Sequence, residues 1–388
     1  GASGAMGKKP LIVVYDTKSM KTVNVLSGFH KKAVSSLAFS GKLLASVGED
    51  DCHSVAIYNW ETGTLVASAK GEKNKVFSIC FNEDGTRLAQ CGINHIRFWD
   101  LKGRNLAPKK GLMKGHGKIQ PFLSVCHLGV KDPNSDMFVF GGTTGTMYVF
   151  EGRECIGTLT DRTAETKKYK TKKGQERILR HAHNGAINAL AFYNMKHNET
   201  LGPNPVGDDK DRQVIISGGR SGWVKIWDAQ PILDLRDGKK KVSTNAQTNL
   251  QLHKDNDVCG CKDDHPKGPR HKCTGKFQSH HRDCCRAEKG KKKCSKKCFC
   301  SLHYEPLAKF NLMGQGIALG NKDMVWQIRS LSYFHSCNDH KLAVAKLAVA
   351  TRGAQIWEYN LMDKVEKEGA GDTTYKTYNT SEILHLVE

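Results

Sequence analysis

Val214–Asp228 (VIISGGRSGWVKIWD) limits the folds open to this chain more than any other stretch. Val214, Ile215 and Ile216 form a β-branched run, Gly218–Gly222 supplies a tight turn, and Trp223–Asp228 alternates apolar with polar before closing on Trp-Asp. β-branched runs on either side of a Gly-rich turn form a hairpin. The order strand, strand, Gly turn, strand recurs along the chain. Closing on Trp-Asp, it is the signature of a WD-repeat blade, in which four strands form one spoke of a β-propeller.

Leu11–Asp16 reads as the last inner strand of a partial blade and Lys21–Ser27 as its outer strand. Five sets follow: Ala33–Ser40, Lys42–Val47 and Ser54–Trp60; Val76–Asn82, Thr86–Cys91 and Ile93–Asp100; Pro121–Gly129, Met137–Phe140 and Thr146–Phe150; Ala186–Asn194, Val214–Ser217 and Trp223–Asp228; Trp326–Phe334, Leu342–Ala350 and Ala354–Tyr359. Ser381–Val387 starts a sixth. The expected fold is all-β, a WD-repeat β-propeller of about five full four-stranded blades with partial first and last blades. Its parts are residues 1–235, a basic Cys/His-rich insertion over 236–303, and 304–388. Starting and stopping mid-blade predicts a piece of a longer array with open strand edges rather than a sealed ring.

Three local expectations follow. The turn glycines should supply positive φ. Thr163–Arg180 and Met195–Arg212 should be mobile surface loops. The tandem KLAVA-KLAVA over Lys341–Ala350 shifts side-chain parity by five, so one copy should bulge or lengthen the preceding loop.

The net charge is +21, and residues 236–303 alone carry 18 Lys/Arg against 7 Asp/Glu, about half of that excess. A basic surplus of this kind favours polyanionic partners. Lys167, Lys168, Lys170, Lys172 and Lys173, with Lys239, Lys240 and Lys241, are the candidate partner-binding cations. No run of eighteen apolar residues occurs, so no membrane helix is expected. Gly1–Gly7 has no charged-then-apolar leader, which points to a cytoplasmic, reducing setting.

Of 14 cysteines, six (Cys52, Cys80, Cys91, Cys126, Cys155 and Cys337) sit in or beside apolar strands and read as small core residues. The other eight, Cys259, Cys261, Cys273, Cys284, Cys285, Cys294, Cys298 and Cys300, are interspersed with His253, His265, His271, His280, His281 and His303. Thiolate and imidazole are the ligands zinc prefers, and Cys294/Cys298 have ligand spacing. The segment has almost no aliphatic residues, so a bound metal could order it; the competing reading is a basic Cys-rich insertion without fixed metal.

His183, Ser217 and Trp227, with Ser221 in place of the usual turn Asp, fit the hydrogen-bonded set that pins WD blades, as do His30, Ser46, Asp50 or Asp51, and Trp60. Their recurrence at blade-defining positions argues for structure over a nucleophilic triad. Gly314–Gly320 lacks the strand, helix and Gly-Lys-Ser/Thr of a phosphate cradle. No catalytic constellation is found, so no enzymatic activity is expected.

Several motifs go beyond general WD grammar: Gly28-Phe29-His30 before a strand, Asp50-Asp51-Cys52-His53, Asn94-His95-Ile96-Arg97-Phe98-Trp99, and Lys109-Lys110-Gly111-Leu112. They resemble the echinoderm microtubule-associated protein-like family, well over Gly7–Gly185, loosely over the fourth and fifth blades, and not over Asp237–His303. With no coiled-coil heptads, the chain looks most like the long tandem-propeller members. The resemblance implies tubulin binding, microtubule decoration and residence on the cytoplasmic or ciliary microtubule cytoskeleton. The alternative is a WD scaffold whose basic insert binds nucleic acid or another acidic partner. Only Phe277 and Phe299 could stack bases there, which disfavours nucleic acid.

Overall fold

The computed structural model describes residues 10–114, 116–117, 119–129, 136–161, 167–170, 176–179, 181–195, 212–230, 232–233, 301–304, 306–312, 327–337, 343–353, 355–360 and 374–377. β1 (Ile12–Tyr15) and β2 (Thr22–Leu26) pair as a two-stranded sheet. The first blade is β3 (Val34–Ser40), β4 (Leu43–Gly48), β5 (Val55–Asn59) and β6 (Thr64–Ala69). The second is β7 (Val76–Phe81), β8 (Arg87–Gly92), β9 (His95–Lys102) and β10 (Asn105–Lys110). The third is β11 (Phe122–His127), β12 (Met137–Gly142), β13 (Met147–Glu151) and β14 (Glu154–Asp161). β15 (Lys167–Lys170) and β16 (Glu176–Leu179) then form a small sheet of their own.

The fourth blade begins with β17 (Ile187–Met195), β18 (Arg212–Gly219) and β19 (Trp223–Asp228), and its outer strand arrives only 80 positions after Asp228, at Ala308. β20 (Ser301–Tyr304) first adds in parallel to β14, with Thr158 opposite Ser301 and Asp161 opposite Tyr304. β21 (Ala308–Asn311) then pairs with β19 and completes the fourth blade. The fifth is β22 (Ile328–Cys337), β23 (Ala343–Thr351), β24 (Gln355–Asn360) and β25 (Thr374–Thr377). Five blades and a leading strand pair are thus as the repeats require. Ser381–Val387 lies outside the described residues.

The chain divides into two compact units, Gly1–Leu112 with Ile119–Phe140 and Phe150–Glu154, and Met113–Lys118 with Gly141–Val149 and Cys155–Glu388. In the first, Ile12, Val14 and Leu26 pack on Leu44, Ala56 and Tyr58 of the first blade. Successive strand residues face opposite ways. Ala45, Val47, Val55 and Ile57 therefore line the blade's other face, against Val76, Ile79, Phe81, Leu88 and Trp99. Both faces are buried, and each such aliphatic side chain contributes about 1.5–3 kcal/mol by leaving water. Phe98, Phe122, Phe138, Phe140 and Phe150 are fully buried in the same unit, with Phe140 and Phe150 edge-on at 5.0 Å. In the second unit the core joins Val214, Ile216, Val224 and Ile226 of the fourth blade to Ile328, Leu331, Leu347 and Val349 of the fifth.

Four expectations need correction. Thr163–Arg180 is not simply a mobile loop: β15 and β16 pair from Lys167↔Leu179 to Lys170↔Glu176. The KLAVA tandem makes no bulge over its described part, Ala343–Ala350, which pairs without a register shift from Ser330↔Ala350 to Cys337↔Ala343, while Lys341, Leu342 and the loop before them lie outside the described residues. Cys52 is exposed on a turn, whereas Cys91, Cys126 and Cys155 are buried and Cys80 is half-buried. Finally, positive φ explains only part of the turn-glycine pattern. Gly145 does have φ +83°. A Cβ on Gly219, whose φ is ordinary, would sit 2.6 Å from His183 Nδ1, and one on Gly48 would strike His30 Nδ1. These two glycines make room for an imidazole. Met195 and Arg212 are the paired ends of β17 and β18; what lies between them is outside the described residues.

Candidate functional site

The polar sets expected in the blades are present, in altered form. In the fourth blade, Ser217 on β18 stands opposite Lys225, and Trp227 follows two residues later on β19. His183 Nε2 lies 2.7 Å from Ser217 Oγ, and Trp227 Nε1–H donates to the same oxygen at 2.8 Å. Ser217 Oγ in turn donates to the Lys225 carbonyl at 3.3 Å. If His183 carries its proton on Nε2, every N–H and O–H of the set is used. Burial, with the neighbouring Lys225 charge, pushes the His183 pKa down to about 3, so the ring is neutral. Ser221 Oγ and His183 Nδ1 are buried without a partner. A serine is too short to do what an aspartate does at that turn.

The first blade has that aspartate. His30 Nε2 meets Ser46 Oγ at 2.7 Å, while its Nδ1 faces Ser54 Oγ at 3.3 Å and Asp50 Oδ2 at 3.9 Å. Burial lowers the His30 pKa against the opposing pull of Asp50. Burial also resists ionisation of Asp50, but hydrogen bonds from Ser54 and Cys52 and the nearby His30 hold its carboxyl below the usual value. Asp51 is instead at the surface, paired with Lys32. Trp60 does not belong to the set either, because its Nε1–H donates to the Gly41 carbonyl at 2.8 Å. Ser46 pairs with Ala56, so the residue two further along is Tyr58.

Sequence reasoning missed the second blade's version. Trp99 Nε1–H donates to Gln90 Oε1 at 2.9 Å, and Gln90 Nε2 lies 3.3 Å from His95 Nε2. The signal was available: Ser46, Gln90 and Ser217 each stand two residues before a strand-closing glycine, Gly48, Gly92 or Gly219. All three are fully buried, so no nucleophile is offered to a substrate by these sets.

Two charged groups join strands within the units. Arg87 donates from Nε to Asp100 at 2.7 Å and from Nη1 to Asp136 at 3.0 Å, and Asn82 Nδ2 donates to Asp136 at 3.1 Å. Burial resists ionisation of Asp100, but Arg87 and Lys109 hold its pKa below the usual value. Asp136 is raised by burial. His127 Nε2 lies 3.9 Å from Asp136, and burial drives its pKa down to about 4. In the second unit Lys225 forms an ion pair with Asp161 and donates to the Ala182 carbonyl at 2.8 Å, with side-chain exposures of 9% and 1% for the ion pair.

Of the candidate partner-binding cations, Lys167, Lys168 and Lys170 lie on β15. Lys172, Lys173, Lys239, Lys240 and Lys241 lie outside the described residues, as do Cys259, Cys261, Cys273, Cys284, Cys285, Cys294, Cys298 and Cys300. Among the described residues no group of His, Cys, Asp and Glu is placed to hold a metal ion, and no helix is long and apolar enough to cross a membrane.

Residues 1–230 match the family described as echinoderm microtubule-associated protein, first beta-propeller. Echinoderm microtubule-associated protein-like 2 of Rattus norvegicus is 29% identical over 227 residues, 56% of this chain and 28% of the relative. The 77 kDa echinoderm microtubule-associated protein of Lytechinus variegatus is 26% identical over 238 residues, 59% of this chain and 29% of the relative. The chain thus spans under a third of the length of the relatives it matches. Among solved structures, the Cps50 (Swd1) beta-propeller domain of Myceliophteria thermophila superposes with a TM-score of 0.51 at 12% identity. That match covers 99% of this chain and 84% of the other and supports the fold.

Proposed function

The chain belongs to the echinoderm microtubule-associated protein family through that family's first β-propeller, and on this premise we propose that it is a non-enzymatic WD-repeat scaffold that associates with microtubules in the cytoplasm. The observation that carries the reading is the family match over residues 1–230, more than half of the 388. The net charge of +21 supplies the complementary physics, since tubulin's tails are acidic. Lys167, Lys168, Lys170, Lys172 and Lys173, with Lys239, Lys240 and Lys241, would provide attraction that weakens as salt shortens the screening length. The test is co-sedimentation with stabilised microtubules, before and after proteolytic removal of the tubulin tails. Pelleting at low salt that falls on tail removal is expected. A chain left in the supernatant at low salt sinks the microtubule reading, and pelleting indifferent to the tails sinks its electrostatic part.

The Cys/His-rich insertion carries a second proposal, zinc binding by some of Cys259, Cys261, Cys273, Cys284, Cys285, Cys294, Cys298 and Cys300. Its support is the donor chemistry and the Cys294/Cys298 spacing. Metal analysis of protein purified without chelator should find at least one zinc per chain; less refutes it. A nucleic-acid role for the same insert would require a gel shift abolished by deleting residues 237–303.

A further inference from the structure

The outer hairpin of the second blade, β9–β10, concentrates cations that the surrounding acids do not answer. Several exposed lysines of the same unit have a partner: Lys32 pairs with Asp51 at 2.6 Å, Lys42 with Glu61 at 2.8 Å and Lys75 with Glu49 at 3.2 Å. Over Lys102–Lys110 only Lys109 is matched, by Asp100, an acid that Arg87 already holds. Lys102, Arg104 and Lys110 are exposed, and among the described residues no acid pairs with them.

The mounting of these cations is rigid. β9 and β10 pair without a register shift from Asn105↔Lys102 to Lys110↔Arg97. Gly103, at φ +58°, and Arg104 make the two-residue turn between them, so Arg104 stands at the tip. Glycine first in such a turn matches the twist of the flanking strands. Leu106 is buried on β10, and Phe98, Trp99 and Asp100 are buried on β9. At about 3.4 Å per residue, the five steps from the Asn105 row to the Lys110 row span roughly 17 Å. β10 is also the outermost strand of its sheet. Pro108 has no N–H to offer there, and proline with lysine on an edge discourages addition of another strand. A ligand at this edge is therefore met by side chains rather than by backbone pairing.

We propose that the β9–β10 hairpin is a docking strip for an extended, carboxylate-rich peptide, with Lys102, Arg104 and Lys110 as its contact cations. This deepens the electrostatic part of the proposed function and rests on it. An extended peptide presents side chains on one side every two residues, about 6.8 Å apart, so a strip of this length meets several carboxylates at once. Cations fixed on a paired hairpin have less freedom to lose on binding than cations on a loop. Nucleic acid is less well served, because Phe98 and Trp99, the hairpin's aromatic residues, are buried and cannot stack a base.

The experiment uses the full chain and a ten-residue poly-glutamate peptide at low salt and limiting peptide. Carbodiimide couples a carboxylate to a lysine amine in contact with it, and mass spectrometry then identifies the coupled lysines. Lys102 and Lys110 should couple at least about threefold more than Lys18, Lys21 and Lys31, which are exposed elsewhere in the unit. Equal coupling means diffuse net-charge attraction and overturns the strip. Arg104→Ala leaves every lysine in place, yet should lower coupling at Lys102 and Lys110 at least about twofold relative to the other three. Unchanged coupling means that the cations act singly and overturns the shared site. A 20-nucleotide oligothymidine that displaces the peptide from Lys102 and Lys110 at lower concentration than free poly-glutamate overturns the peptide assignment. No tubulin is present, so coupling at the strip by a chain that fails to pellet with microtubules would sink only the microtubule reading. Equal coupling in a chain that does pellet would sink only the strip.

Discussion

Ser217→Ala tests the physical account of the blade sets most directly. Ser217 is fully buried, and its hydroxyl oxygen accepts from Trp227 Nε1–H at 2.8 Å, meets His183 Nε2 at 2.7 Å and donates to the Lys225 carbonyl at 3.3 Å. Alanine removes the oxygen but neither ring. Two N–H donors are then stranded where water cannot reach, each costing about 1–3 kcal/mol, while the lost carbonyl acceptor bond adds less because a carbonyl tolerates under-satisfaction better. The expected loss is about 2–6 kcal/mol. Urea unfolding followed by tryptophan fluorescence should show a lower midpoint with an unchanged slope. Ser221→Ala is the internal control. Ser221 Oγ is buried with no partner, so its removal should leave stability within about 0.5 kcal/mol or raise it. A Ser217→Ala loss below about 1 kcal/mol, or a Ser221→Ala loss of similar size, would refute the reasoning.

Three further outcomes follow from the same geometry. His183 and His127, with pKa values pushed down to about 3 and about 4 by burial, stay neutral in the fold while the unfolded chain takes up protons below about pH 6.5. Their contribution is therefore intact above pH 6.5 and is lost as pH falls toward those folded values, by up to about 1.4 kcal/mol per histidine per pH unit. Chemical denaturation between pH 7 and 5 should show this slope, and replacing either histidine by glutamine should reduce it; a flat profile contradicts the assignment. Arg87→Met leaves Asp136 and Asp100 without their shared guanidinium and should cost about 3–5 kcal/mol, with R87M/D136L recovering part of it in a double-mutant cycle. Trp60→Phe should cost less than about 1.5 kcal/mol, the net worth of its single bond to Gly41, whereas loss of a full blade set would cost more.

What the sequence made legible was whatever the period enforces. β-branched runs, turn glycines and polar residues two before those glycines mark the blades, because each blade must bury both faces of its inner strands. Trp60 was misplaced because Trp-x ending a strand looks the same whether the indole sits at Trp227's position or two residues beyond it, and only the pairing Ser46↔Ala56 decides. Gln90 was missed because the expected residue was a serine, although a longer amide reaches the indole N–H equally well. The β15–β16 pairing was hidden by composition. Short basic strands resemble solvated loops in composition, and only the pairing register from Lys167↔Leu179 to Lys170↔Glu176 distinguishes them.

The long connection between β19 and β21 has its own logic. The outer strands β6, β10 and β14 follow their inner neighbours after short turns, whereas β21 pairs with β19 across 80 positions, from Asp228 to Ala308. For a flexible connection, loop closure grows as about 1.5RT ln n, so replacing a turn of about four residues by about eighty adds roughly 2.7 kcal/mol. That is tolerable at an outermost strand and would not be at an inner one. Val224 and Ile226 on β19, with Val214 and Ile216 on β18, already belong to the core that reaches the fifth blade, whereas β21 adds an edge. The returning chain also does not face this entropy in one step. β20 pairs with β14 over Ser301–Tyr304 first, leaving only three residues, 305–307, before β21 starts. A fifth strand on the third blade thus acts as an intermediate anchor, dividing one long closure into a long one and a short one.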